Sequence, residues 1–139
     1  MRLTSFTDYG LRVLMRLAGA PERAFSTTDL AAEFGVSRHH LAKVVSVLAA
    51  AGLLETRRGG GGGAMLARPP ETIRIGDVVA LLEADQAVVE CFAPGGHTCT
   101  LMPGCRLKSR LAHAEAAFIA DLNRSTLAEA IPFYQNGLK

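Results

Sequence analysis

Three cysteines, Cys91, Cys99 and Cys105, lie close together in the second half of the chain, with seven and five residues between them. The segment that contains them is rich in glycine and proline, which lets the backbone bend so that the thiolates converge. Converging thiolates repel one another unless a cation lies between them, and soft sulphur ligands select zinc or iron–sulphur clusters. An odd number of clustered cysteines therefore predicts a metal or redox site in preference to disulfides.

Other interpretations of the three cysteines remain open. A structural zinc site could use His97 as a further ligand, although such sites usually contain CxxC pairs and this sequence has none. A cysteine nucleophile activated by His97 would need an orienting Asn or Asp motif, which the sequence does not offer. Three unconnected buried thiols are the remaining alternative.

A second chemical pattern lies on a helix predicted to run from Ser37 to about Ala51, where Gly52 ends it. One face of this helix is apolar, and the opposite face carries mostly hydrogen-bond donors and no acidic residue. Donors of this kind on an open helical face are what reading base edges in the major groove requires. The apolar face consists of Leu41, Val44, Val45 and Leu48, and the donor face includes Arg38, His39 and Lys43.

The elements around this helix predict a winged helix-turn-helix. A shorter helix starts after Ser26 and stops at Gly35, so that two helices are joined by a glycine turn. Residues 53–57 and 64–67 have strand character and flank the glycines at 59–63, as a hairpin with a flexible tip would. No Gly-Lys-Ser/Thr follows the glycines, which disfavours a nucleotide loop, whereas a flexible linker remains open. The candidate DNA-binding residues are Ser37, Arg38, His39, His40, Lys43, Arg57 and Arg58.

The composition, 49% hydrophobic and only 6% aromatic, favours a mainly α protein. Further helices are predicted over 5–20, over 75–82 and from Thr126, where Glu129 completes a capping box. A long helix over 105–124 carries an apolar stripe that needs a partner, and the same helix of a second subunit would provide one. The stripe consists of Leu107, Leu111, Ala114, Phe118 and Leu122. We therefore divide the chain into a DNA-binding domain at 1–76, and a cysteine loop (91–105) with a dimerisation helix at 77–139.

Charge is distributed unevenly along the chain. Up to Arg68 there are nine basic and five acidic residues, whereas six basic and eight acidic residues follow. A basic first half suits a surface that faces phosphates. No segment approaches the roughly 20 apolar residues that span a bilayer, and the first residues lack the apolar core of a secretory signal. We expect a cytoplasmic protein that does not bind membranes.

Five segments, at 1–12, 37–45, 66–78, 90–92 and 99–108, together resemble the NsrR-type nitric-oxide-sensing repressors. These belong to a winged-helix family that also includes IscR, RirA and CymR. The resemblance implies a homodimer that crosses through its long C-terminal helices and binds a palindromic operator in double-stranded DNA. It also implies an iron–sulphur cluster, 4Fe-4S in preference to 2Fe-2S, whose attack by nitric oxide ends repression. No enzymatic activity is expected.

The resemblance makes Cys91, Cys99 and Cys105 cluster ligands, with Asp8 of the other subunit as the fourth ligand. The alternative for Asp8 is a residue stabilised by the helix dipole. IscR-type proteins place a histidine where this chain has Lys108, which disfavours that type. The family wing often has a basic residue where this chain has Gly60, so Arg57 or Arg58 would have to replace its contact.

Two alternative functions therefore stay open. One is a regulator of iron or cluster status of the RirA or IscR kind. The other is a zinc- or cluster-stabilised module that binds a protein partner through helix 105–124.

Overall fold

The computed structural model of the chain describes residues 2–96 and 98–132. It contains six α-helices, two strands and two short 3-10 helices in these residues. The α-helices are α1 (Ser5–Ala18), α2 (Thr27–Phe34), α3 (Arg38–Ala50), α4 (Ile75–Leu82), α5 (Arg106–Leu122) and α6 (Leu127–Ala130). The strands are β1 (Leu54–Arg57) and β2 (Gly63–Leu66), and the 3-10 helices are Pro70–Thr72 and Glu90–Phe92.

Helix α1 begins at a side-chain cap and ends earlier than predicted. The hydroxyl of Thr4 accepts a hydrogen bond from the amide of Thr7, which satisfies one of the free amides at the helix start. The helix was predicted to reach Ala20 but stops at Ala18. Pro21 explains the difference, because a proline disfavours helical conformation in the residue before it.

The helix-turn-helix is formed by α2 and α3, as predicted. Ser26 and Ser37 cap the two helices through hydroxyls that accept from the amides three residues later, at 3.0 and 3.1 Å. Gly35 lies between the helices with φ +66, a left-handed conformation that L side chains rarely adopt. These local signals fix the turn that sets α3 at an angle to α2.

The wing is the antiparallel hairpin β1–β2, in register from Leu54 opposite Leu66 to Arg57 opposite Gly63. Phe25 adds an extended residue beside β2, since its amide and carbonyl bond to Ala64 at 3.0 and 2.7 Å. Strand β2 starts at Gly63, one residue before the predicted start. A Cβ at Gly63 would collide with the backbone of Phe25, so the strand needs glycine at this point.

The hydrophobic core lies between α1, α3, the base of the wing and α4. Its largest fully buried side chains come from α1, α3 and α4, from the segments at Phe25 and Ile73, and from α2 and α6, which add one leucine each. The arrangement confirms the prediction of a mainly α chain with an N-terminal winged helix. Core residues include Leu14, Phe25, Leu30, Leu41, Leu48 and Ile73.

Helix α5 packs beside α4 but has no buried residue. Asn123, directly after the C-terminal end of α5, joins that end to α4. Its side chain accepts a hydrogen bond from the amide of Asp77 at 2.9 Å and donates one to the carboxylate of Asp77 at 2.8 Å. Gly76 permits this close approach, because a Cβ there would lie 2.5 Å from Oδ1 of Asn123. The capping box predicted at Thr126 and Glu129 is present at the start of α6.

Among the helices that the structure describes, none is both long and apolar enough to cross a bilayer.

Candidate nucleic-acid interface and cysteine loop

The N-terminal end of α3 presents most of the predicted DNA-binding residues to solvent. Ser37, Arg38, His39 and Lys43 are all exposed, and the first turn of α3 contains no acidic residue. The opposite face is buried through Leu41, Val44, Val45 and Leu48. The core therefore holds α3 rigidly while its donor face stays open.

His40 lies differently from its predicted neighbours. Its ring packs edge-to-face against Phe6 and Tyr9 of α1, with centroid distances of 6.2 and 5.5 Å. Nε2 of His40 is buried and has no hydrogen-bond partner among the described residues. His40 thus packs α3 against α1 and does not share the open face with Arg38 and His39.

The wing supplies the other two predicted DNA-binding residues. Arg57 ends β1, and Arg58 follows it at the start of the glycine tip, with both side chains exposed. Arg57 lies 3.5 Å from the carboxylate of Glu55, which is also exposed, so this pair is weak and can be exchanged for a phosphate contact.

The cysteine loop joins α4 to α5. Cys91 is half-buried in the 3-10 helix Glu90–Phe92, Cys105 is half-buried at the start of α5, and Cys99 is exposed between them. All three are free thiols. Cys91 lines a groove between the end of α4 and α5, together with Glu83 and Lys108.

The expected convergence of the thiols is absent from this single chain. Within residues 2–96 and 98–132, no group of three His, Cys, Asp or Glu side chains is arranged to hold a metal ion. Sites of this kind are usually assembled by the group that they bind, because binding supplies the free energy that gathers the ligands. The donors themselves fit an iron–sulphur cluster, being free thiols at the ends and centre of one loop. His97, the candidate zinc ligand, lies outside the described residues.

Asp8 lies on the first turn of α1, far along the sequence from the cysteines. Its carboxylate forms two contacts with the guanidinium of Arg12, at 2.8 and 3.1 Å, and its side chain is 50% exposed. Arg12 was missed by sequence reasoning, although its spacing four residues after Asp8 is the usual spacing of helical ion pairs. The carboxylate of Asp8 is therefore open to solvent on one side and bound by Arg12 on the other.

Glu83, at the end of α4, connects that helix to the start of α1. Its carboxylate accepts from the amide and from the hydroxyl of Thr4, each at 2.8 Å. Partial burial acts to raise the pKa of Glu83, but hydrogen bonds from Thr7 and Thr4 outweigh it and leave the pKa below its usual value. Thr7 is fully buried, so this polar contact is enclosed on one side by the core.

Comparison with known proteins supports a regulator. The sequence model of the Rrf2 family, described as an iron-dependent transcriptional regulator, matches residues 3–132. The HTH-type transcriptional regulator NsrR of Geobacillus kaustophilus is 44% identical over 132 residues, covering 94% of this chain and 90% of that protein. The protein of the same name from Shouchella clausii is 42% identical, covering 94% of this chain and 89% of its own length.

Two solved structures have the same fold. The oxidised form of CymR from Staphylococcus aureus has a TM-score of 0.73 and 26% identity, covering 98% of this chain and all of that one. IscR of T. potens has a TM-score of 0.72 and 24% identity, covering 100% of this chain and 94% of that one.

Proposed function

Because this chain belongs to the Rrf2 family of transcriptional regulators, which are not enzymes, we propose that it represses transcription as a homodimer on DNA and that nitric oxide ends the repression through an iron–sulphur cluster. The observation that carries the DNA-binding part is the open donor face at the start of α3, held by a buried opposite face and followed by a wing with two exposed arginines.

DNA recognition divides between the two basic elements. Arg38, His39 and Lys43 would read base edges if the start of α3 enters a major groove. Arg57 and Arg58 would contact phosphates or a minor groove beside it. The two groups therefore predict different effects, since base contacts set sequence preference and phosphate contacts set salt dependence.

The DNA-binding role is tested with duplexes selected from a random pool by the cluster-loaded protein. Arg38→Ala is expected to weaken binding by roughly 1–3 kcal/mol and to broaden the selected sequence at one position. Arg124→Ala is the matched control, because it removes the same charge from an exposed side chain beyond the end of α5. Equal binding by both variants would exclude α3 as the recognition helix.

The homodimer is proposed from the surface of α5. The face of this helix that turns toward α4 runs through Lys108 and Ile119, and the apolar stripe lies beside it. The described residues cover the stripe only in part, since Leu111, Phe118 and Leu122 are half-buried while Leu107 and Ala114 are exposed. Leu107 on this stripe is 63% exposed. An apolar stripe along a helix of 17 residues on a small protein fits the same stripe of a second copy.

Sedimentation equilibrium tests this assembly. Leu111→Glu places a charge on the stripe and is expected to shift the protein to monomer. Ala116→Glu, on the exposed opposite face of α5, is expected to leave the dimer intact. A dimer that survives Leu111→Glu would place the interface elsewhere.

Cys91, Cys99 and Cys105 would hold the cluster, with Asp8 of the second subunit as the oxygen ligand. Two of the thiols are half-buried at fixed elements, and Asp8 is accessible on its helix. The cluster, when bound, supplies iron that reacts with nitric oxide. The chain supplies the connection, because the cysteine loop leaves α4 directly beside the helices that hold α3.

Anaerobic purification, iron and sulphide analysis, and DNA binding before and after nitric oxide test the sensor. About four irons per chain, with DNA released on nitric oxide, is the expected result. Release on iron chelation but not on nitric oxide would favour an iron-status regulator, which the description of the family as iron-dependent also suggests. Zinc in place of iron would favour a structural site.

A further inference from the structure

We propose that Glu83 is a positioning residue that couples the cysteine loop to the recognition helix through the start of α1, an inference that rests on the proposed function. The contact between Glu83 and Thr4 joins residues 79 positions apart in the sequence. It connects the end of α4, which leads into the cysteine loop, to the start of α1, which carries Asp8.

On the loop side, Glu83 ends α4 and lines the groove that contains Cys91. Only residues 84–90 separate Glu83 from Cys91. A change in the loop that moves Cys91 therefore acts on the end of α4 over a short distance.

On the other side, Glu83 fixes the cap of α1. Its carboxylate binds both the amide and the hydroxyl of Thr4, and Thr4 in turn caps the helix at Thr7. Further along, the packing of α1 on α4 is close, because a Cβ at Gly10 would collide with the side chain of Leu82. The start of α1 and the end of α4 thus move together.

Helix α1 in turn contacts α3, the proposed recognition helix. Phe6 and Tyr9 follow Thr4 in the first part of α1, and both rings pack edge-to-face with the ring of His40. His40 lies in the first turn of α3, directly after Arg38 and His39. A shift of the α1 start therefore changes the position of the residues that face DNA. Coupling of this kind requires that the cluster-bound and cluster-free forms differ in this contact.

The test compares DNA affinity in the cluster-loaded and the nitric-oxide-treated forms of five proteins, the wild type and four variants. Wild type is expected to show a ratio of roughly 5–150 between the two affinities. Glu83→Ala is expected to assemble the same amount of cluster by absorbance and iron content, yet to show a ratio within about twofold of unity. Glu83→Gln, which keeps an acceptor oxygen, is expected to fall between them.

Asp85→Asn is the matched control. Asp85 is exposed in the same segment, and its substitution removes the same charge without touching Thr4. It is expected to retain the wild-type ratio. Thr4→Ser keeps the hydroxyl and is likewise expected to retain it.

A second readout separates coupling from simple loss of stability. Hydrogen exchange at the amides of 41–44 in α3, which carries no proposed cluster ligand, is expected to depend on the cluster in wild type and to become independent of it in Glu83→Ala. If Glu83→Ala keeps the wild-type ratio and the cluster-dependent exchange, Glu83 has no coupling role although the sensor stands. If wild type itself does not respond to nitric oxide, the proposed function fails first.

Discussion

Replacing Asn123 by alanine should loosen α5 from α4 and destabilise the whole chain. Asn123 accepts from the amide of Asp77 in the first turn of α4, which makes it a cap supplied by another helix, and its amide group donates to the Asp77 carboxylate. Loss of a cap costs about 1 kcal/mol, and loss of a second hydrogen bond costs about 1 kcal/mol more. The expected loss is therefore about 2 kcal/mol in the free energy of unfolding.

Urea denaturation at one fixed protein concentration measures this loss. With a slope of roughly 2 kcal/mol per molar urea, the midpoint should fall by about 1 M. Asp121→Ala is the control, because its side chain is 76% exposed and its nearest charged contact is Arg124 at 3.5 Å. A midpoint shift for Asn123→Ala no larger than that of Asp121→Ala would refute the view that this residue holds α5 to α4.

Three further predictions follow from the geometry. Gly76→Ala should cost roughly 1–3 kcal/mol by overpacking, because its Cβ would lie 2.5 Å from Oδ1 of Asn123, and thermal unfolding would show a lower midpoint. The lowered pKa of Glu83 makes its contribution to stability present above the ordinary value of 4.5 and lost as the pH falls through the folded-state value. Between pH 5.5 and 3 the free energy of unfolding should therefore fall less in Glu83→Gln than in wild type. Equal dependence on pH in the two proteins would contradict the lowered pKa of Glu83. Replacing Arg57 and Arg58 by alanine should reduce the slope of log affinity against log salt by about 2, with little change in sequence preference.

Local signals in the sequence predicted the helix-turn-helix well. Serine before a helix commonly caps it, and glycine after a helix commonly adopts a left-handed conformation. Ser26, Ser37 and Gly35 follow these local rules, so their roles need no tertiary information. The glycine run and the strand-like segments beside it predicted the wing for the same reason. These signals, with helical periodicity, were sufficient for the fold class.

Contacts between distant residues could not be predicted in this way. The bridge between Phe25 and Ala64, the bonds between Asp77 and Asn123, and those between Thr4 and Glu83 form only when whole helices pack. Asn and Glu at these positions look like ordinary surface residues in the sequence. Their roles depend on which helix end lies opposite, and helical periodicity does not determine that.

The candidate site was predictable in its chemistry and less so in its arrangement. The residue types of the cysteine loop identify soft ligands, but the sequence gives no distance between them, and within the described residues of the single chain they stay apart. The position of His40 in α3 was likewise not predictable from residue type alone. Its place among donors suggested a DNA contact, whereas the aromatic rings of α1 engage it.

The absence of any buried residue in Arg106–Leu122 has a consequence for how the protein would behave at low abundance. A helix that gains part of its packing from a second chain contributes that part of its stability by mass action, so each tenfold rise in chain concentration would add about 1.4 kcal/mol to the folded pair. Newly made chains would then hold α5 less firmly until two of them meet, and the unpaired chain would be the form most open to unfolding and degradation. At low abundance the amount of regulator would therefore depend on how fast chains pair as well as on how fast they are made.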